Sequence, residues 1–468
     1  MNILLVYPKP NLKFYTTHSF PLGMGYIAAV LEQENHNIFI LDLNIHSDNL
    51  EEVLDKNKID ITGIYAKTVH IKSVWKLCER IKKHNPKIRT VLGGPHPSVL
   101  PEESLNFSTV DIVIRKEAEY SFKELCINLS QNKVLKDIKG ISYKSNGKII
   151  HNPDREFINN LDDLPFPARH LFNFEDYTKF NTRPTWNTQK NTRIGTIITS
   201  RGCPYQCVFC FHGVHGYNYR YRSPENVIKE IKLLKEKYNV NFIEILDDNF
   251  ALIEERAKKI CELMIKENLN IKWTVPEGFI RADKVSQDLL RLAKQAGCVD
   301  FWFAMESGSQ RVLDNIINKK TSIEQIKETA QIAKKEGFET GAFICIGNFG
   351  ETEEEILASI NLARSLDIDK CQFTIVTPYP GSKLYDELHT KNKLLITDWD
   401  KYSPYENKAF FEYPEMTKEK IEYMYQLAFK KFYFRPSYVL KTLKRKSTYT
   451  NFSLILKELY HFLFSKNG

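Results

Sequence analysis

The chain has 468 residues, of which 42% are hydrophobic and 26% are charged, and its formal net charge is +8. This composition predicts a globular protein of two or three domains, and the lack of any run of about 18 apolar residues excludes a transmembrane helix. Nine cysteines without a secretion signal argue against a disulfide framework. The first residues, MNILLVYPKP, are typical of a buried strand rather than a signal peptide, so we expect a cytoplasmic protein.

Residues 1–135 are predicted to form a first α/β domain. Short apolar runs alternate there with amphipathic helical patterns, and the runs are NILLVY, NIFILDL, DITGIYA, IRTVLGG and VDIVIR. Buried strands that alternate with helices predict a doubly wound parallel sheet. Ligands bind such sheets beyond the carboxyl ends of the strands, where Gly93 and Gly94 lie. No GxGxxG pattern follows the first strand, which gives little support to a dinucleotide site.

Residues 136–190 are predicted to form a polar hairpin, GISYKSNGKIIHNPDREFINN, and a Pro-rich linker, LDDLPFPARHLF. The alternation returns in residues 191–392, where apolar runs predict a partial (β/α)6 barrel. These runs are IGTIITS, FIEILDD, IKWTVP, CVDFWFAME, ETGAFICIG and CQFTIVTP. Barrel chemistry takes place at the carboxyl ends of the strands, and the polar or unusual residues of this region fall there. Residues 393–468 are predicted to form a mostly helical C-terminal region.

Three cysteines, Cys203, Cys207 and Cys210, follow the first barrel strand in the stretch TSRGCPYQCVFCFHG. Thiolates in this CxxxCxxC spacing can converge on one metal centre. Zinc would take a fourth ligand, for which His212 or His215 is close enough, whereas a 4Fe–4S cluster on three thiolates leaves one iron open. The position of the trio after a buried barrel strand favours the cluster.

The stretch RGCPYQCVFC resembles the signature loop of the radical S-adenosylmethionine (SAM) enzymes. In that family three cysteines bind a 4Fe–4S cluster whose open iron chelates SAM, and reductive cleavage of SAM gives a 5′-deoxyadenosyl radical. The resemblance implies that Cys203, Cys207 and Cys210 are the metal ligands. It also implies that Phe209 packs near the adenine of SAM.

The same resemblance implies further contacts with SAM. Asp247 and Asp248 in ILDDNF stand where the family often contacts the SAM amino group, although one of them would also suit a helix N-cap. Glu306 and Ser307 in FAMESGS resemble the ribose and methionine contacts. Gly347 in GAFICIGNFGETEEE resembles the motif near the adenine, in which glycine allows close approach.

The order of domains resembles that of the cobalamin-binding radical SAM enzymes over about residues 1–390. VLGGPHPSVLPEE and VDIVIRKEAEYSFKEL resemble the N-terminal module of that family. The resemblance implies that Gly93 and Gly94 let the nucleotide tail of cobalamin pass close to the backbone and that Thr68 hydrogen-bonds it. In DLNIHSD, however, Asn44 stands where a DxHxxG motif has its cobalt-binding histidine. We therefore expect no histidine below the cobalt.

The resemblance implies an anaerobic enzyme that uses a 4Fe–4S cluster, SAM and cobalamin. We expect it to methylate an unactivated carbon of a lipid, tetrapyrrole or secondary metabolite. A radical SAM cyclase or oxidative enzyme without methyl transfer, similar to the anaerobic magnesium-protoporphyrin monomethyl ester cyclase, is the first alternative. A non-catalytic sensor that binds a metal or cobalamin is the second.

Expectations about partners follow from the family and from the C-terminal stretch AFKKFYFRPSYVLKTLKRK. The family implies a reductant such as flavodoxin or ferredoxin. The basic and aromatic stretch suits a large apolar or anionic substrate, or peripheral contact with a membrane, with a solvated helix face as the alternative. No basic stripe with interleaved aromatics lies near the barrel mouth, so no nucleic-acid partner is expected.

Overall fold

The computed structural model describes residues 1–9, 19–179, 191–276, 278, 281–403 and 407–443. Two α/β units follow each other along the chain, and a helical region comes after them. Each apolar run that the sequence predicts to be a strand contains one.

Seven strands form the sheet of the first unit. They are β1 (Asn2–Tyr7), β2 (Asn37–Asp42), β3 (Ile61–Tyr65), β4 (Arg89–Gly93), β5 (Ile112–Ile114), β6 (Ile141–Ser145) and β7 (Lys148–His151). Their order is β2-β1-β3-β4-β5-β6-β7, and β1 to β5 are parallel. The chain reverses its direction across the sheet between β1 and β3, and ligands bind parallel sheets in the crevice that such a reversal opens.

The hairpin predicted within residues 136–190 extends this sheet. β6 pairs antiparallel with β5, and Ile141 lies opposite Ile114. Ile141 and Tyr143 are buried, so the hairpin has an apolar side. Arg115 at the end of β5 donates a hydrogen bond of 2.7 Å to the carbonyl oxygen of Ile141. The sheet therefore continues past the predicted boundary at residue 135, because two apolar positions in a polar hairpin are enough to cover the edge of β5.

Helices cover both faces of the first sheet. They are α1 (Leu22–Glu32), α2 (Leu50–Asn57), α3 (Ile71–His84), α4 (Pro95–Val99), α5 (Pro101–Asn106) and α6 (Glu119–Ser130). Val30 of α1 and Phe122 of α6 belong to an apolar cluster that continues into the second unit. Val74 and Ile81 of α3 belong to a separate cluster on the other face. The face that carries α1 and α6 thus joins the two units.

The second unit is an open barrel of parallel strands. In chain order, its strands are β8 (Ile194–Ile197), β9 (Ser200–Arg201), β10 (Arg220–Tyr221), β11 (Phe242–Ile245), β12 (Lys272–Thr274), β13 (Asp300–Glu306), β14 (Glu339–Ile346) and β15 (Lys370–Ile375). Of these, β9 and β10 form a short antiparallel ribbon. The order is β12-β11-β8 in one half and β13-β14-β15 in the other. A bridge between Trp273 and Cys298 joins the halves.

Helices surround the barrel and continue beyond it. They are α7 (Phe174–Lys179), α8 (Pro224–Tyr238), α9 (Glu254–Lys266), α10 (Gln287–Gln295), α11 (Ile323–Lys335), α12 (Glu353–Ser365), α13 (Lys383–Thr390), α14 (Lys418–Tyr433) and α15 (Pro436–Leu443). Ser322 and Thr352 begin α11 and α12 with capping boxes, which satisfy the first backbone N–H groups of each helix.

Helix α14 closes the free edge of the barrel at β15. The hydroxyl of Tyr433 accepts a hydrogen bond from the backbone N–H of Cys371 (2.9 Å) and donates one to its carbonyl (2.6 Å). Phe429 and Phe432 pack against Phe373 of β15. These contacts cover the edge strand and satisfy the backbone N–H and carbonyl of Cys371. Residues 444–468, which include the end of the basic stretch, lie outside the described residues.

Among the helices that the structure describes, none is both long enough and apolar enough to cross a membrane.

Candidate active site

The cysteine trio lies on the loop between β9 and β10, just past the carboxyl end of β8. Gly202, immediately before Cys203, has a φ of +81°, and a Cβ added there would lie 2.4 Å from the carbonyl oxygen of Asn218. This position therefore requires glycine. The backbone N–H of Cys210 donates to the carbonyl of Cys207 (3.0 Å), which closes a tight turn between two of the cysteines.

The three thiols are free and line one cavity. Burial raises the pKa of each of them, and that of Cys210 to about 12. Cys210 is exposed by surface area, but this surface faces the cavity, whose protein walls still desolvate the thiolate. A bound metal centre stabilises the thiolate form of such thiols. Three soft sulfur donors fit an iron–sulfur cluster.

The zinc alternative has less support from the positions of the two histidines. Nδ1 of His215 lies 3.1 Å from a carboxylate oxygen of Glu117, and the ring of His212 stacks on Tyr217 with centroids 4.3 Å apart. Within the described part of the chain, no three His, Cys, Asp or Glu side chains, the cysteine trio included, converge closely enough to hold a single metal ion. A 4Fe–4S cluster does not need such convergence, because each thiolate binds a different iron.

The cavity has a volume of about 970 Å³ and lies between the two α/β units. Tyr7 and Tyr65 line it at the ends of β1 and β3, with their rings stacked at a centroid distance of 5.2 Å. Cavities of this size, at the point where the strand order reverses, are typical ligand sites. The predicted site residues that line the same space are Gly93, Gly94, Cys203, Cys207, Phe209, Cys210, Asp247, Asp248 and Glu306. The cavity therefore joins the crevice of the first sheet to the cysteine loop.

Glu306 ends β13 in a left-handed backbone conformation, with a φ of +58°, where the pairing of β13 with β14 shifts register. Most other non-glycine residues with positive φ in this chain are Asn or Lys, whereas Glu306 ends a strand, and strained residues in strands often occur at functional sites. The carboxylate of Glu306 lies 2.9 Å from Nζ of Lys319, and Sγ of Cys345 donates to it (3.2 Å). Glu306 and Lys319 are both buried and line the cavity. Sequence reasoning missed Lys319, because the polar run INKKTS contains no strand or motif that singles it out.

The two adjacent aspartates have different surroundings. The carboxylate of Asp247 accepts hydrogen bonds from the backbone N–H of Thr199 (2.6 Å) and from the hydroxyls of Thr199 (2.5 Å) and Ser200 (2.7 Å). Burial raises the pKa of Asp247. Asp248 is exposed and accepts a single bond from the N–H of Gly202 (3.0 Å). Neither caps α9, which begins after Ile253. Asp248 is thus better placed to meet a ligand.

Three predicted site residues do not line the cavity. Ser307 is fully buried, and its hydroxyl lies 3.2 Å from that of Ser359. The N–H of Gly347 donates to the buried carboxylate of Glu351 (3.0 Å). Oγ1 of Thr68 lies 3.4 Å from Nδ1 of the buried His96. The hydroxyls of Ser307 and Thr68 and the backbone N–H of Gly347 therefore contact partners within the protein rather than the cavity.

A buried ion cluster fastens the first unit to the cysteine loop. The carboxylate of Glu117, which follows β5, lies within hydrogen-bond distance of Arg201 (3.2 Å), Arg220 (2.9 Å) and His215 (3.1 Å). Arg201 also donates to Glu119 (2.7 Å). Burial alone would raise the pKa of Glu117, but the bond to His215 and the charges of both arginines outweigh it and lower the pKa to about 2. Both strands of the ribbon that carries the cysteines are thereby anchored to the first unit.

Gly93 and Gly94 differ in what a side chain would meet. A Cβ added to Gly93 has no heavy atom within 4 Å, so a side chain there would enter the cavity. Gly94 has a φ of +109°, and its added Cβ would lie 2.9 Å from the carbonyl oxygen of Ala66. Gly94 is therefore needed for the backbone itself, whereas Gly93 keeps space open.

This difference predicts separate effects of two substitutions. The resemblance implies that cobalamin passes close to Gly93, so Gly93→Val is expected to fold normally and to bind cobalamin roughly tenfold or more weakly, because overpacking typically costs about 1–3 kcal/mol. Gly94→Ala should lower the melting temperature, since alanine disfavours this φ and meets the carbonyl of Ala66. Equilibrium dialysis with cobalamin and thermal unfolding measure the two effects. Wild-type affinity in Gly93→Val would remove Gly93 from the cobalamin site.

Comparison with known proteins identifies the family. The Radical SAM superfamily model matches residues 197–363, and the B12 binding domain model matches residues 14–126. The chain is 35% identical over 450 residues to an uncharacterized methyltransferase of Pyrococcus horikoshii, PH0819, and the match covers 94% of each chain. The chain belongs to the cobalamin-binding radical SAM family.

Other members of the cobalamin-binding radical SAM family are more distant. The anaerobic magnesium-protoporphyrin IX monomethyl ester cyclase of Rubrivivax gelatinosus is 29% identical over 395 residues, which covers 82% of this chain and 68% of the cyclase. The structure of OxsB, a cobalamin-dependent SAM radical enzyme with aqua-cobalamin and SAM bound, has a TM-score of 0.76 and 17% identity, and the match covers 99% of this chain and 72% of OxsB. The OxsB match shows a shared fold.

Membership of the family makes this chain an enzyme that uses a 4Fe–4S cluster, SAM and cobalamin. The residues in the structure fit these cofactors. The three desolvated thiols can ligate a cluster, and the cavity extends from them to the open space at Gly93.

Proposed function

We propose that this enzyme transfers a methyl group from SAM, by way of cobalamin, to an unactivated carbon of a small or lipid-like molecule. The observation that carries the proposal is the single cavity between the sheet crevice and the cysteine loop. Methyl transfer between cofactors needs the donor and acceptor atoms within reach in one space. A cavity walled by both units supplies that space and shields a reactive intermediate from water.

The residues of the chain have distinct roles in this proposal. Cys203, Cys207 and Cys210 hold the cluster, whereas Asp248 and Glu306 contact SAM. When bound, the cluster and SAM supply a carbon-centred radical for hydrogen abstraction, and cobalamin supplies the methyl group.

The walls also favour a substrate with a large apolar part, such as a lipid, tetrapyrrole or secondary metabolite. Apolar side chains line the cavity from both units, among them Phe20, Met24, Phe122, Phe211 and Phe343. Burial of an apolar substrate against such side chains contributes about 25 cal/mol per Å².

We infer that the electron donor is a small carrier such as flavodoxin or ferredoxin.

An anaerobic product assay tests the proposal. The enzyme is given cobalamin, reductant, candidate substrates and SAM that carries an isotopic label in its methyl group. We expect a labelled product together with S-adenosylhomocysteine and 5′-deoxyadenosine. A product without label, formed with 5′-deoxyadenosine alone, would instead place the enzyme with the cyclase relatives.

We also propose that the C-terminal region contacts an anionic membrane surface. Val439 and Leu440 on α15 are 43% and 59% exposed, and the exposed Lys430 and Lys431 lie at the end of α14. Apolar side chains beside basic ones are typical of peripheral membrane contacts. Vesicles with phosphatidylglycerol should bind wild type more tightly than a Val439→Asp, Leu440→Asp variant. Val134→Asp, on an exposed valine of the first unit, is the matched control and should bind normally.

Equal binding of wild type and the α15 variant to these vesicles would contradict membrane contact through this surface.

A further inference from the structure

The loop of residues 317–320 is fastened to the cysteine loop. The backbone N–H of Val208, between Cys207 and Cys210, donates to the carbonyl of Ile317 (2.9 Å). The side chain of Asn318 donates to the carbonyl of Gln206 (3.2 Å). These two hydrogen bonds join the loop of residues 317–320 to the cysteine loop.

Arg281 holds this loop from the other side. Its guanidinium donates to the carbonyls of Lys319 and Lys320. The same guanidinium lies 3.6 Å from the centroid of the Tyr205 ring, which belongs to the cysteine loop. Arg281 is 2% exposed. The backbone of Lys319 is thus fixed relative to the cysteines by contacts on both sides.

The side chain of Lys319 places a positive charge inside the protein. It is 5% exposed, and its Nζ lies 2.9 Å from Glu306. Both side chains line the cavity that the cysteines line. A charge in such a position acts through a medium of low dielectric constant, so its effect on neighbouring groups is much larger than at the surface.

We propose that Lys319 is a positioning residue for the redox chemistry, whose buried charge raises the reduction potential of the cluster. This inference rests on the proposed ligation of the cluster by the cysteine trio. One electron from a reductant of the flavodoxin or ferredoxin class enters the cluster and lowers its net charge by one, with no bond formed or broken. A fixed positive charge nearby stabilises the reduced form. Glu306 acts in the opposite direction.

The test is a redox titration without SAM. Reconstituted enzyme is titrated with dithionite, and the reduced cluster is followed by electron paramagnetic resonance. Lys319→Met should shift the midpoint potential to a more negative value, whereas Glu306→Gln should shift it to a more positive one. Lys319→Arg keeps the positive charge and should have the midpoint potential of wild type. Lys320→Met removes an exposed charge next in sequence and should leave the potential unchanged.

Lys319→Met leaves the buried carboxylate of Glu306 without its cation and is the variant at most risk of misfolding. The Lys319→Met, Glu306→Gln double variant avoids this and should have a more negative potential than Glu306→Gln alone. Equal potentials in these two variants, or in wild type and Lys319→Met, overturn the inference while the cluster assignment stands. A wild-type enzyme that assembles no cluster overturns the proposed function as well.

Discussion

Replacing Cys203, Cys207 or Cys210 with alanine is expected to remove the cluster and abolish cleavage of SAM. Each thiolate is a ligand in this account, and two remaining thiolates do not hold a 4Fe–4S cluster. Anaerobically purified wild type should contain about four iron and four sulfide per chain, whereas each variant should contain little of either. Formation of 5′-deoxyadenosine should fall below detection in all three.

Cys261→Ala is the matched control, because Cys261 is a fully buried thiol in α9 and does not line the cavity. It should retain iron, sulfide and SAM cleavage. Stoichiometric zinc with no iron in wild type would contradict the cluster and favour the zinc-binding sensor. SAM cleavage that survives in a variant of the trio would contradict the assignment of that cysteine.

The Glu117→Gln substitution is expected to destabilise the protein by about 3–5 kcal/mol, because it takes from the buried Arg220 the carboxylate with which it pairs and leaves Arg201 with Glu119 alone. Glu117 is the anion shared by Arg201 and Arg220, and all three side chains are buried. Urea unfolding at neutral pH measures the loss. Glu156→Gln, which breaks an exposed pair with Lys139, is the control and should unfold like wild type. A loss below about 1 kcal/mol in Glu117→Gln would show that the cluster does not hold the units together.

The same carboxylate predicts a dependence on pH. Glu117 has a pKa of about 2 in the folded protein, below its ordinary value of 4.5. Its contribution to stability is therefore complete above pH 4.5 and is lost as the pH falls from 4.5 towards 2. The difference in unfolding free energy between wild type and Glu117→Gln should narrow on acidification. A difference that stays constant down to pH 3 would contradict the lowered pKa.

Local patterns in the sequence were enough to predict the order of strands and helices and the cysteine loop. Short apolar runs that alternate with helical patterns are typical of buried strands, and each such run contains a strand in the structure. The spacing of Cys203, Cys207 and Cys210 is likewise local. The hairpin of β6 and β7 was predicted from its own sequence, but its pairing with β5 was not, because nothing in its polar composition identifies that partner.

Contacts between distant parts of the chain could not be predicted from sequence. Glu117 and Arg201 are 84 positions apart, so no local pattern joins them. Lys319 becomes notable only when the bulge in β13 turns Glu306 towards it. Asp247 and Asp248 are equivalent as sequence, and only the neighbouring hydroxyl of Thr199 reveals that Asp247 is committed to hydrogen bonds within the protein.

We propose that one cavity brings cobalamin and SAM together. The most direct measurement is an anaerobic incubation of the enzyme, loaded with reduced cobalamin, with SAM labelled in its methyl group and no substrate. We expect the label to appear on the bound cobalamin and an equal amount of S-adenosylhomocysteine to form. Bound cobalamin that remains unlabelled, while SAM keeps its methyl group or is cleaved only to 5′-deoxyadenosine, would contradict it.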